Sequence, residues 1–343
     1  MKHNYILPPE WAMQNAVMLT WPHKDTDWKP YIADITETYL QISEAITRFE
    51  QLVIATPHTE EVHKLLSERL SEDAMARVSI YRCQSNDTWA RDHGPITLMD
   101  IESHASPLIL DFQFNGWGRK FAADKDNNIT RSLYNQGAFN GKIIDNNDFT
   151  LEGGSIESDG KGSVMTTSFC LLAPNRNQPM TKADIEKELK KRLCAKRIIW
   201  IDYGQLIGDD TDGHIDTIVR FAPDDTIVYV KCDDKNDPQY EDFVLLEKQL
   251  QQLQTIDGKS YRLISVPMPH PIYDGEDRLP ATYANFLVIN GAVLVPTYKQ
   301  PELDKKALSA IGVAFPNREI IGIDGSTIIR QHGSIHCLTM QLY

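Results

Sequence analysis

Five short polar segments of the sequence carry residue types that could perform chemistry. They are WARDHGP with Asp92, LEGGS with Glu152, DGHID with His214 and Asp216, YANF with Asn285, and SIHC with Cys337. Two carboxylates in a concave site can hold a planar cation through paired N–H···O bonds, and a guanidinium is the cation that fits best. A thiolate and a histidine could then attack that cation and carry protons. Together the segments indicate nucleophilic chemistry on a guanidinium-like substrate.

Each segment by itself also has a purely structural interpretation. Asp92 could be a turn or capping residue, and the two glycines after Glu152 could form a bulge or allow a close backbone approach. If DGHID is a strand, His214 and Asp216 point to the same face, as an acid–base pair, two metal ligands or a hydrogen-bonded pair. Single residues therefore leave these alternatives open.

The amide and thiol side chains carry even less signal alone. Asn285 is of a type that most often makes structural hydrogen bonds. Cys170 and Cys194 are expected to be small core residues, and Cys337 could be another. A cysteine in an apolar segment acts as a nucleophile only where a base and other charged groups accompany it.

The elements that must position these residues alternate between helices and strands. Residues 34–49 place apolar side chains on one helical face, and the strand-like LVIAT follows directly. Four more helix–strand units have the same form, namely TEEVHKLLSERL to VSIYRC, TKADIEKELKKRL to RIIWIDY, DPQYEDFVLLEKQLQQLQ to YRLISVP, and ELDKKALSAI to EIIGI. The count of five units favours a repeated architecture.

The spacing of the polar segments supports a quasi-repeat. Asp92, Glu152, His214, Asn285 and Cys337 follow one another at intervals of 52 to 71 positions. DTIVRFAPDDTIVYV and NFLVINGAVLVP are typical of hairpins, which suit ββαβ units around an axis better than a doubly wound parallel sheet. We expect one α/β domain over residues 1–343, a five-bladed propeller of ββαβ units whose polar turns meet near the axis. Residues 114–128 are the expected loop over the site.

Composition excludes several classes of function. The formal charge of −13, without a basic stripe, disfavours nucleic acids and anionic membranes and favours a cationic small molecule. Five widely separated cysteines without a CxxC pair indicate neither a disulfide framework nor a structural zinc site. No secretory signal or transmembrane-length run is present, so a reduced, cytoplasmic protein is expected. The sequence leaves its oligomeric state open, with a homo-oligomer as one alternative.

Seven blocks, in one order from about residue 10 to the C-terminus, resemble the agmatine deiminase family. They are EWAMQNAVMLTWP, WARDHGP, FNGWG, LEGGSIESDG, TDGHIDTIVRF, LPATYANFLVINGAVLVP and GSIHCLTMQ. This family is grouped with the bacterial peptidylarginine deiminases in the guanidine-modifying pentein superfamily. The resemblance implies a five-bladed propeller with its active site on the pseudo-fivefold axis, and hydrolysis of agmatine to N-carbamoylputrescine, a step in putrescine synthesis.

The resemblance also implies a role for each residue. Cys337 attacks the guanidinium carbon and forms a covalent thiouronium adduct, while His214 protonates the departing ammonia and then activates water. Glu152 orients and supports His214, and Asp92 and Asp216 bind the guanidinium nitrogens. Trp89, Trp117 and Asn285 are expected to line the site, without a metal or organic cofactor.

Two departures from the family pattern bear on the substrate. The chain has QHGS before Ile335, where many members have a Gly-rich run with Asn, and Arg119 and Lys120 where many have a glycine after WG. Either cation could favour the carboxylate of free or peptidyl arginine, or both could be solvated loop charges. A deiminase for free or peptidyl arginine is therefore the main alternative. Remote alternatives are a non-catalytic pentein binding protein and a metallohydrolase using His214, Asp216 and Glu152.

Overall fold

The computed structural model of the protein describes residues 4–100 and 106–343. Within these ranges, five sheets share one three-strand unit, in which a first strand pairs antiparallel with a second and the second pairs parallel with a third; two of the sheets carry one additional edge strand. The sheets are β19-β2-β3-β4, β1-β5-β6-β7, β8-β9-β10, β11-β12-β13 and β16-β17-β18, and β14-β15 is a separate small hairpin. The chain is therefore built from repeated α/β units.

The strands have the following bounds: β1 Tyr5–Ile6, β2 Ala16–Thr20, β3 Gln51–Thr56, β4 Val78–Arg82, β5 Ile96–Asp100, β6 Leu108–Gln113, β7 Lys142–Thr150, β8 Ile156–Ser158, β9 Ser163–Thr167, β10 Arg197–Ile201, β11 Val219–Ala222, β12 Thr226–Lys231, β13 Arg262–Pro267, β14 Tyr273–Asp274, β15 Asp277–Arg278, β16 Leu287–Ile289, β17 Ala292–Thr297, β18 Glu319–Asp324 and β19 Thr339–Leu342.

The helices have the following bounds: α1 Ile32–Thr47, α2 Thr59–Arg69, α3 Glu72–Met75, α4 Ala90–His93, α5 Gly116–Arg119, α6 Ile129–Asn135, α7 Ser168–Leu171, α8 Lys182–Arg192, α9 Tyr240–Gln252 and α10 Pro301–Ala314. Short 3-10 helices cover Lys29–Tyr31, Asp126–Asn128, Gly153–Ser155, Ile215–Thr217 and Ile328–Gln331. No helix in the described ranges is long and apolar enough to cross a membrane.

Helix α1 shows how the sequence pattern produces these units. Its apolar positions at helical spacing, Ile35, Tyr39, Ile42 and Ile46, are all fully buried. They pack in one core cluster with Leu52 and the other apolar residues of the sheet that follows. Burial of such a face stabilises a helix far more than its intrinsic propensity does. The predicted helix–strand unit is confirmed here.

The assignment of units to sheets differs from the sequence-based expectation. The first two helix–strand units, α1–β3 and α2–β4, belong to the same sheet. The sheet of β6 and β7 instead uses the seven-residue α6, which the periodicity search missed. A helix of two turns buries only Ile129, Thr130 and Leu133, which is too short a pattern to stand out in the sequence.

Both predicted hairpins are confirmed. Strands β11 and β12 pair antiparallel, and so do β16 and β17. In the first turn Asp224 and Asp225 have φ of 58° and 54°, and in the second Gly291 has φ of 84°. Positive φ is typical of tight hairpin turns, and Asp, Asn and Gly adopt it most readily.

The polar segments occupy equivalent places in the five sheets. Asp92 lies in α4 before β5, Glu152 lies before β8, and His214 lies before β11. Asn285 lies just before β16 and Cys337 just before β19. Each residue therefore precedes the first strand of a different three-strand unit, namely β5, β8, β11, β16 or β19, which is the structural basis of their near-even spacing.

Candidate active site

A cavity of about 200 Å³ opens beside Cys337 and gathers several of the predicted site residues. Its lining comprises Asp27, Asp87, Trp89, Asp92, Trp117, Phe121, Asp210, Thr211, Gln331, His332, Gly333 and Cys337. Trp117 and Phe121 come from residues 114–128, so the predicted loop does contribute to the site. His214, Asp216 and Asn285 lie behind this lining, completely buried.

Cys337 lies in a turn, although its apolar surroundings in GSIHCLTMQ are typical of a strand. Strand β19 begins only at Thr339, and the Leu338 N–H donates to the Ile335 carbonyl across the turn. The Cys337 Sγ is 3.4 Å from Asn285 Oδ1 and 3.8 Å from Asp216 Oδ2. Burial, followed by the charges of Asp216 and Asp92, raises the thiol pKa well above its ordinary value. The free thiol is therefore protonated at neutral pH.

Asn285 holds the backbone of the cysteine as well as its thiol. Its Oδ1 accepts a hydrogen bond from the Cys337 N–H at 3.3 Å, and its Nδ2 lies 3.5 Å from the Asp216 carbonyl. Asn285 thus contacts the thiol from behind instead of lining the cavity.

Asp92 is a buried carboxylate fixed by two donors. Its Oδ2 accepts from the Trp117 indole N–H at 2.9 Å, and its Oδ1 accepts from the Gly154 N–H at 3.1 Å. Burial raises the Asp92 pKa to about 6, with Asp216 and Glu152 adding to the rise and His214 opposing it. The carboxylate is ionised at neutral pH but protonates readily in mild acid.

Trp117 reaches Asp92 because α5 is a left-handed turn. Gly116, Trp117, Gly118 and Arg119 all have positive φ, between 53° and 82°. A Cβ on Gly116 would lie 2.3 Å from the Phe121 carbonyl oxygen, so only glycine fits there. Four consecutive left-handed residues are costly, and such strain is typical of functional sites.

The second glycine of LEGGS allows three site residues to meet. A Cβ on Gly154 would lie 2.6 Å from His214 Nδ1, 2.9 Å from Asp92 Oδ1 and 3.0 Å from Asp216 Oδ2. Of the alternatives for these glycines, close backbone approach is therefore the one that applies to Gly154. By contrast, DGHID is not a strand, because Ile215–Thr217 forms a 3-10 helix that starts directly after His214.

His214 is completely buried among acidic groups. Its Nδ1 lies 3.6 Å from Asp92 Oδ1, and neither ring nitrogen has a hydrogen-bond partner among the described residues. Burial opposes the imidazolium charge, but Asp92, Cys170 and Glu152 outweigh it and raise the His214 pKa well above its ordinary value. The ring is therefore a proton donor at neutral pH.

Glu152 is anchored by an arginine that sequence reasoning missed. Arg176 Nε donates to Glu152 Oε1 at 2.9 Å, and both side chains are inaccessible to solvent. The same guanidinium donates to Asp212 Oδ2 and to the Thr211 carbonyl. Glu152 Oε2 has no partner within the part of the chain that the structure describes. Glu152 thus joins the cluster near His214 without a direct hydrogen bond to it.

Asp216 is held from the far side by the neighbour of the cysteine. His336 Nδ1 lies 2.7 Å from Asp216 Oδ2, and His336 Nε2 lies 2.5 Å from Glu10 Oε1. Burial would raise the Asp216 pKa, but the His336 hydrogen bond, with charges including that of His214, holds it below its ordinary value. Asp216 Oδ1 has no hydrogen-bond partner in the described ranges, so one oxygen stays available for a donor.

The outer part of the cavity is acidic. Asp27, Asp87 and Asp210 line it, and Asp87 accepts the Trp89 indole N–H at 3.1 Å. Burial raises the Asp87 pKa to about 7, and its second oxygen has no partner among the described residues. A cationic group at this end of a ligand would meet carboxylates, whereas an anionic group would be repelled.

Neither of the two loop cations lines the cavity. Lys120 Nζ donates to the Asp210 carbonyl at 2.6 Å and to Asp212 Oδ1 at 2.8 Å. Arg119 is exposed and does not belong to the cavity lining. Both residues therefore fit the interpretation as loop charges.

The QHGS segment has a structural role around Trp89. A Cβ on Gly333 would lie 2.0 Å from Trp89 Cζ3, so any other residue would displace the ring from the cavity wall. His332, with φ of 64°, contacts the Gly208 carbonyl through Nδ1 at 2.7 Å. The segment thus closes one wall of the site.

Two cysteine expectations have different outcomes. Cys170 is fully buried, as expected, but it lies beside His214 and Glu152, with ligand atoms of all three within 4.8 Å of one another. Cys194 is exposed, contrary to expectation, because it follows the end of α8 with φ of 53°. No local pattern marked Cys170, Arg176 or His336 as site residues, since their partners are distant in sequence, and the nearby contact between Asp87 and Trp89 gave no signal of a cavity.

Known proteins provide an independent comparison. The sequence profile of the family described as Porphyromonas-type peptidyl-arginine deiminase matches residues 6–342. A crystal structure from Porphyromonas gingivalis, provisionally assigned as an arginine deiminase, is 47% identical, with a TM-score of 0.92 and coverage of 98% of both chains. A C. jejuni agmatine deiminase solved with substrate bound is 35% identical, with a TM-score of 0.90 over 100% of this chain and 97% of the other.

A curated relative agrees with these structures. The agmatine deiminase of Stutzerimonas stutzeri is 30% identical over 98% of this chain and 95% of its own. The similarity therefore extends over the whole length of both proteins and includes every segment of the cavity.

Proposed function

We propose that this chain, which belongs to the Porphyromonas-type peptidyl-arginine deiminase family, hydrolyses agmatine to N-carbamoylputrescine and ammonia. One observation carries the proposal. Beside the Cys337 thiol, buried polar atoms of Asp216, Glu152 and His214 have no hydrogen-bond partner among the described residues. Buried carboxylate oxygens are costly unless a donor reaches them, and a guanidinium brings five N–H donors and a positive charge.

The proposed fold follows from the repeated topology. Five sheets of one ββαβ order, each preceded by one site residue, support a five-bladed propeller formed by a single domain over residues 1–343. In such a ring the segments before the first strands would meet near the axis. This arrangement accounts for a catalytic cysteine close to the C-terminus.

In the proposed mechanism the substrate enters as a cation between Asp92 and Asp216. These carboxylates accept the guanidinium N–H groups and localise its charge, which makes the central carbon more electrophilic. The positive charge of the substrate also offsets the carboxylates around Cys337 and lowers the thiol pKa, so that the thiolate forms in the complex. Free enzyme therefore keeps a protonated thiol, and substrate binding activates it.

Attack by the Cys337 thiolate on the guanidinium carbon gives a tetrahedral adduct. His214 donates its proton to the departing nitrogen, and the tetrahedral adduct loses ammonia to become a covalent thiouronium. The neutral His214 then takes a proton from water, and the resulting hydroxide attacks the same carbon. Expulsion of the Cys337 thiolate releases the ureido product. Glu152, held by Arg176, stabilises the imidazolium form of His214 in both steps.

The acidic outer cavity favours agmatine over arginine. The amine of agmatine would lie near Asp87, Asp27 and Asp210, where the α-carboxylate of arginine would be repelled. Lys120 is already paired with Asp212. A deiminase acting on arginine or a C-terminal peptidyl arginine is the second proposal, and the family description is what supports it.

A substrate panel tests the assignment. Ammonia release is measured from agmatine, n-butylguanidine, free arginine and an arginine-terminated peptide, with EDTA present and Cys337→Ala as the inactive control. We expect agmatine to have the highest kcat/KM. Butylguanidine, which lacks the amine, should fall about 10- to 100-fold below agmatine, as expected for a lost charge-assisted bond.

The panel can also reject the proposal. A higher kcat/KM for arginine or the peptide would support the second proposal, a deiminase for free or C-terminal peptidyl arginine, in place of the first. Absence of ammonia from all four compounds, with a protein that unfolds cooperatively, would exclude deimination altogether. Equal rates on agmatine and butylguanidine would show that Asp27, Asp87 and Asp210 do not bind the amine of agmatine.

A further inference from the structure

Cys170 places a second thiol next to the proposed proton carrier. It lies in α7, and its Sγ, a His214 ring nitrogen and a Glu152 oxygen all lie within 4.8 Å of one another. The three residues come from separate segments, and all are fully buried. The mechanism above gives Cys170 no part in turnover.

The three side chains form a donor set suited to one class of ligand. Thiolate, imidazole and carboxylate together are typical of zinc sites that keep one open position. Arg176 occupies Glu152 Oε1, and Glu152 Oε2 has no partner in the described part of the chain. Both ring nitrogens of His214 also lack a hydrogen-bond partner there. Apart from the contact between Cys170 and His214 themselves, these atoms are not committed to protein hydrogen bonds, and coordination requires the His214 ring and the Cys170 thiol to give up their protons.

We propose that Glu152, Cys170 and His214 form an inhibitory site for a thiophilic divalent cation such as Zn²⁺. The inhibitory role rests on the proposed function, in which His214 carries protons. Coordination forms metal–sulfur, metal–nitrogen and metal–oxygen bonds, and the thiol proton and any proton on the coordinating ring nitrogen pass to solvent. A solvent molecule completes the tetrahedron. A ring nitrogen bound to the metal cannot accept or donate a proton, so turnover stops although Cys337 itself is unmodified.

The cation would enter through the substrate cavity. Asp92 lines that cavity, and its Oδ1 lies 3.6 Å from His214 Nδ1. Asp92 therefore links the open space to the buried donor set. Because a guanidinium substrate uses the same carboxylate, substrate and cation exclude each other, and saturating agmatine protects the enzyme. The Arg176 charge beside Glu152 opposes the cation and keeps binding reversible.

This site differs from the metallohydrolase considered from the sequence. That alternative used Asp216 with His214 and Glu152, but His336 holds Asp216 Oδ2, and the cluster within 4.8 Å contains Cys170 instead. A metal here blocks the proton carrier. EDTA should therefore leave activity unchanged or raise it, whereas a metallohydrolase would lose activity.

The main experiment is a Zn²⁺ titration of the initial rate of ammonia release. It compares the wild type with Cys170→Ser and Cys170→Ala, each relative to its own metal-free rate, and uses Cys232→Ser as the matched control. Cys232 is another buried free cysteine, with its thiol near the Asp234 carbonyl. We expect the wild type and the control to be inhibited alike and EDTA to restore the rate. The Cys170 variants should need about 10- to 100-fold more Zn²⁺.

Equal inhibition of the Cys170 variants and the wild type would overturn the proposal, because the metal would then be bound elsewhere, for instance by Cys337. Loss of wild-type activity in EDTA would also overturn it, because the metal would then be a cofactor.

A second measurement does not depend on turnover. Co²⁺ is added to Cys337→Ala and to the double variant Cys337→Ala/Cys170→Ala, and the sulfur-to-cobalt charge-transfer band is recorded. We expect the band in the first protein and its loss in the second. If Cys337→Ala shows the band but the wild type releases ammonia from no guanidine, the metal site is upheld and the proposed function is rejected. Ammonia release without a band or inhibition would reject the metal site alone.

Discussion

The buried charged residues form two groups, which we call the cavity group and the paired group, and two pairs of adjacent residues contribute one member to each. Asp92 and Cys337 face the cavity, where neighbouring carboxylate and imidazole atoms have no hydrogen-bond partner in the described ranges. Arg91 and His336, the preceding residues, face a second group of charges in which carboxylates and guanidiniums are paired. At each of these two segments, neighbouring side chains therefore point to different groups. One group has carboxylate and imidazole atoms without hydrogen-bond partners among the described residues, and in the other the charges are paired.

Arg220 makes the most contacts in the paired group, which comprises Glu10, Arg91, Glu157, Arg220 and His336. Its guanidinium donates to Glu157 and, at 2.5 Å, to Glu10 Oε2, and it also reaches the carbonyls of Ala284 and Phe286. Burial alone would raise the Glu10 pKa, but Arg220, His336 and Arg91 outweigh it and hold that pKa below its ordinary value. Removal of one partner from the charge network would leave a buried charge unpaired, whereas the cavity groups lack a partner until a ligand binds.

The largest expected effect is the loss of activity when Cys337 in the cavity is replaced. Cys337→Ala should lower kcat on the order of 10³-fold or more, because the covalent step is lost. Unfolding in urea should change by no more than about 1 kcal/mol, since no charge loses a partner. Activity above a tenth of wild type would contradict the nucleophile assignment, as measured by ammonia release.

The second effect is a loss of stability when Arg220 is removed from its pairs with Glu10 and Glu157. Arg220→Met leaves the carboxylates of Glu10 and Glu157 buried without their guanidinium, so the free energy of unfolding should fall by about 3–5 kcal/mol. Arg48→Met is the matched control, because its pair with Glu319 is half exposed and contributes about 1 kcal/mol or less. Equal urea midpoints for the two variants would remove the proposed contrast.

An intermediate effect is expected in the pH dependence. The Asp92 pKa is raised from 3.8 to about 6, so kcat/KM for agmatine should fall as pH drops through 6 and the carboxylate protonates. Between pH 4 and 6 the native state binds the proton more tightly than the unfolded chain, so this residue lowers stability as pH rises.

Activity and stability should therefore change in opposite directions across that range. Asp92→Asn is the control, and it should remove this contribution to both profiles. A wild-type kcat/KM that stays constant from pH 7 to pH 5 would show that Asp92 ionisation does not govern substrate binding.

The smallest effect is expected at the cavity rim. Lys120→Ala removes a partly exposed pair with Asp212, so kcat/KM for agmatine should stay within about threefold and stability within about 1 kcal/mol. A gain of tenfold or more on agmatine, with a matching loss on arginine, would instead make Lys120 a determinant of substrate choice.

Local sequence determined much of the fold. The apolar faces of α1, α9 and α10 and the turns at Asp224 and Gly291 depend on neighbours a few positions apart, and they are where the periodicity places them. The near-even spacing of the five polar segments likewise reflects one site residue before the first strand of each sheet. Short elements were lost, because a two-turn helix such as α6 has too few apolar positions to form a pattern.

The residue types of the site were readable from sequence, but their environments were decided by tertiary structure. A strand was one interpretation of DGHID, and GSIHCLTMQ is strand-like in composition, but the chain forms a 3-10 helix directly after His214 and a turn at Cys337. The partners that fix and tune them, Arg176 for Glu152, His336 for Asp216 and Gly333 for Trp89, lie 24 to more than 200 positions away. Burial, orientation and pKa arise only when distant segments pack together, so a single sequence gives the reactive groups but not the electrostatic field in which they act.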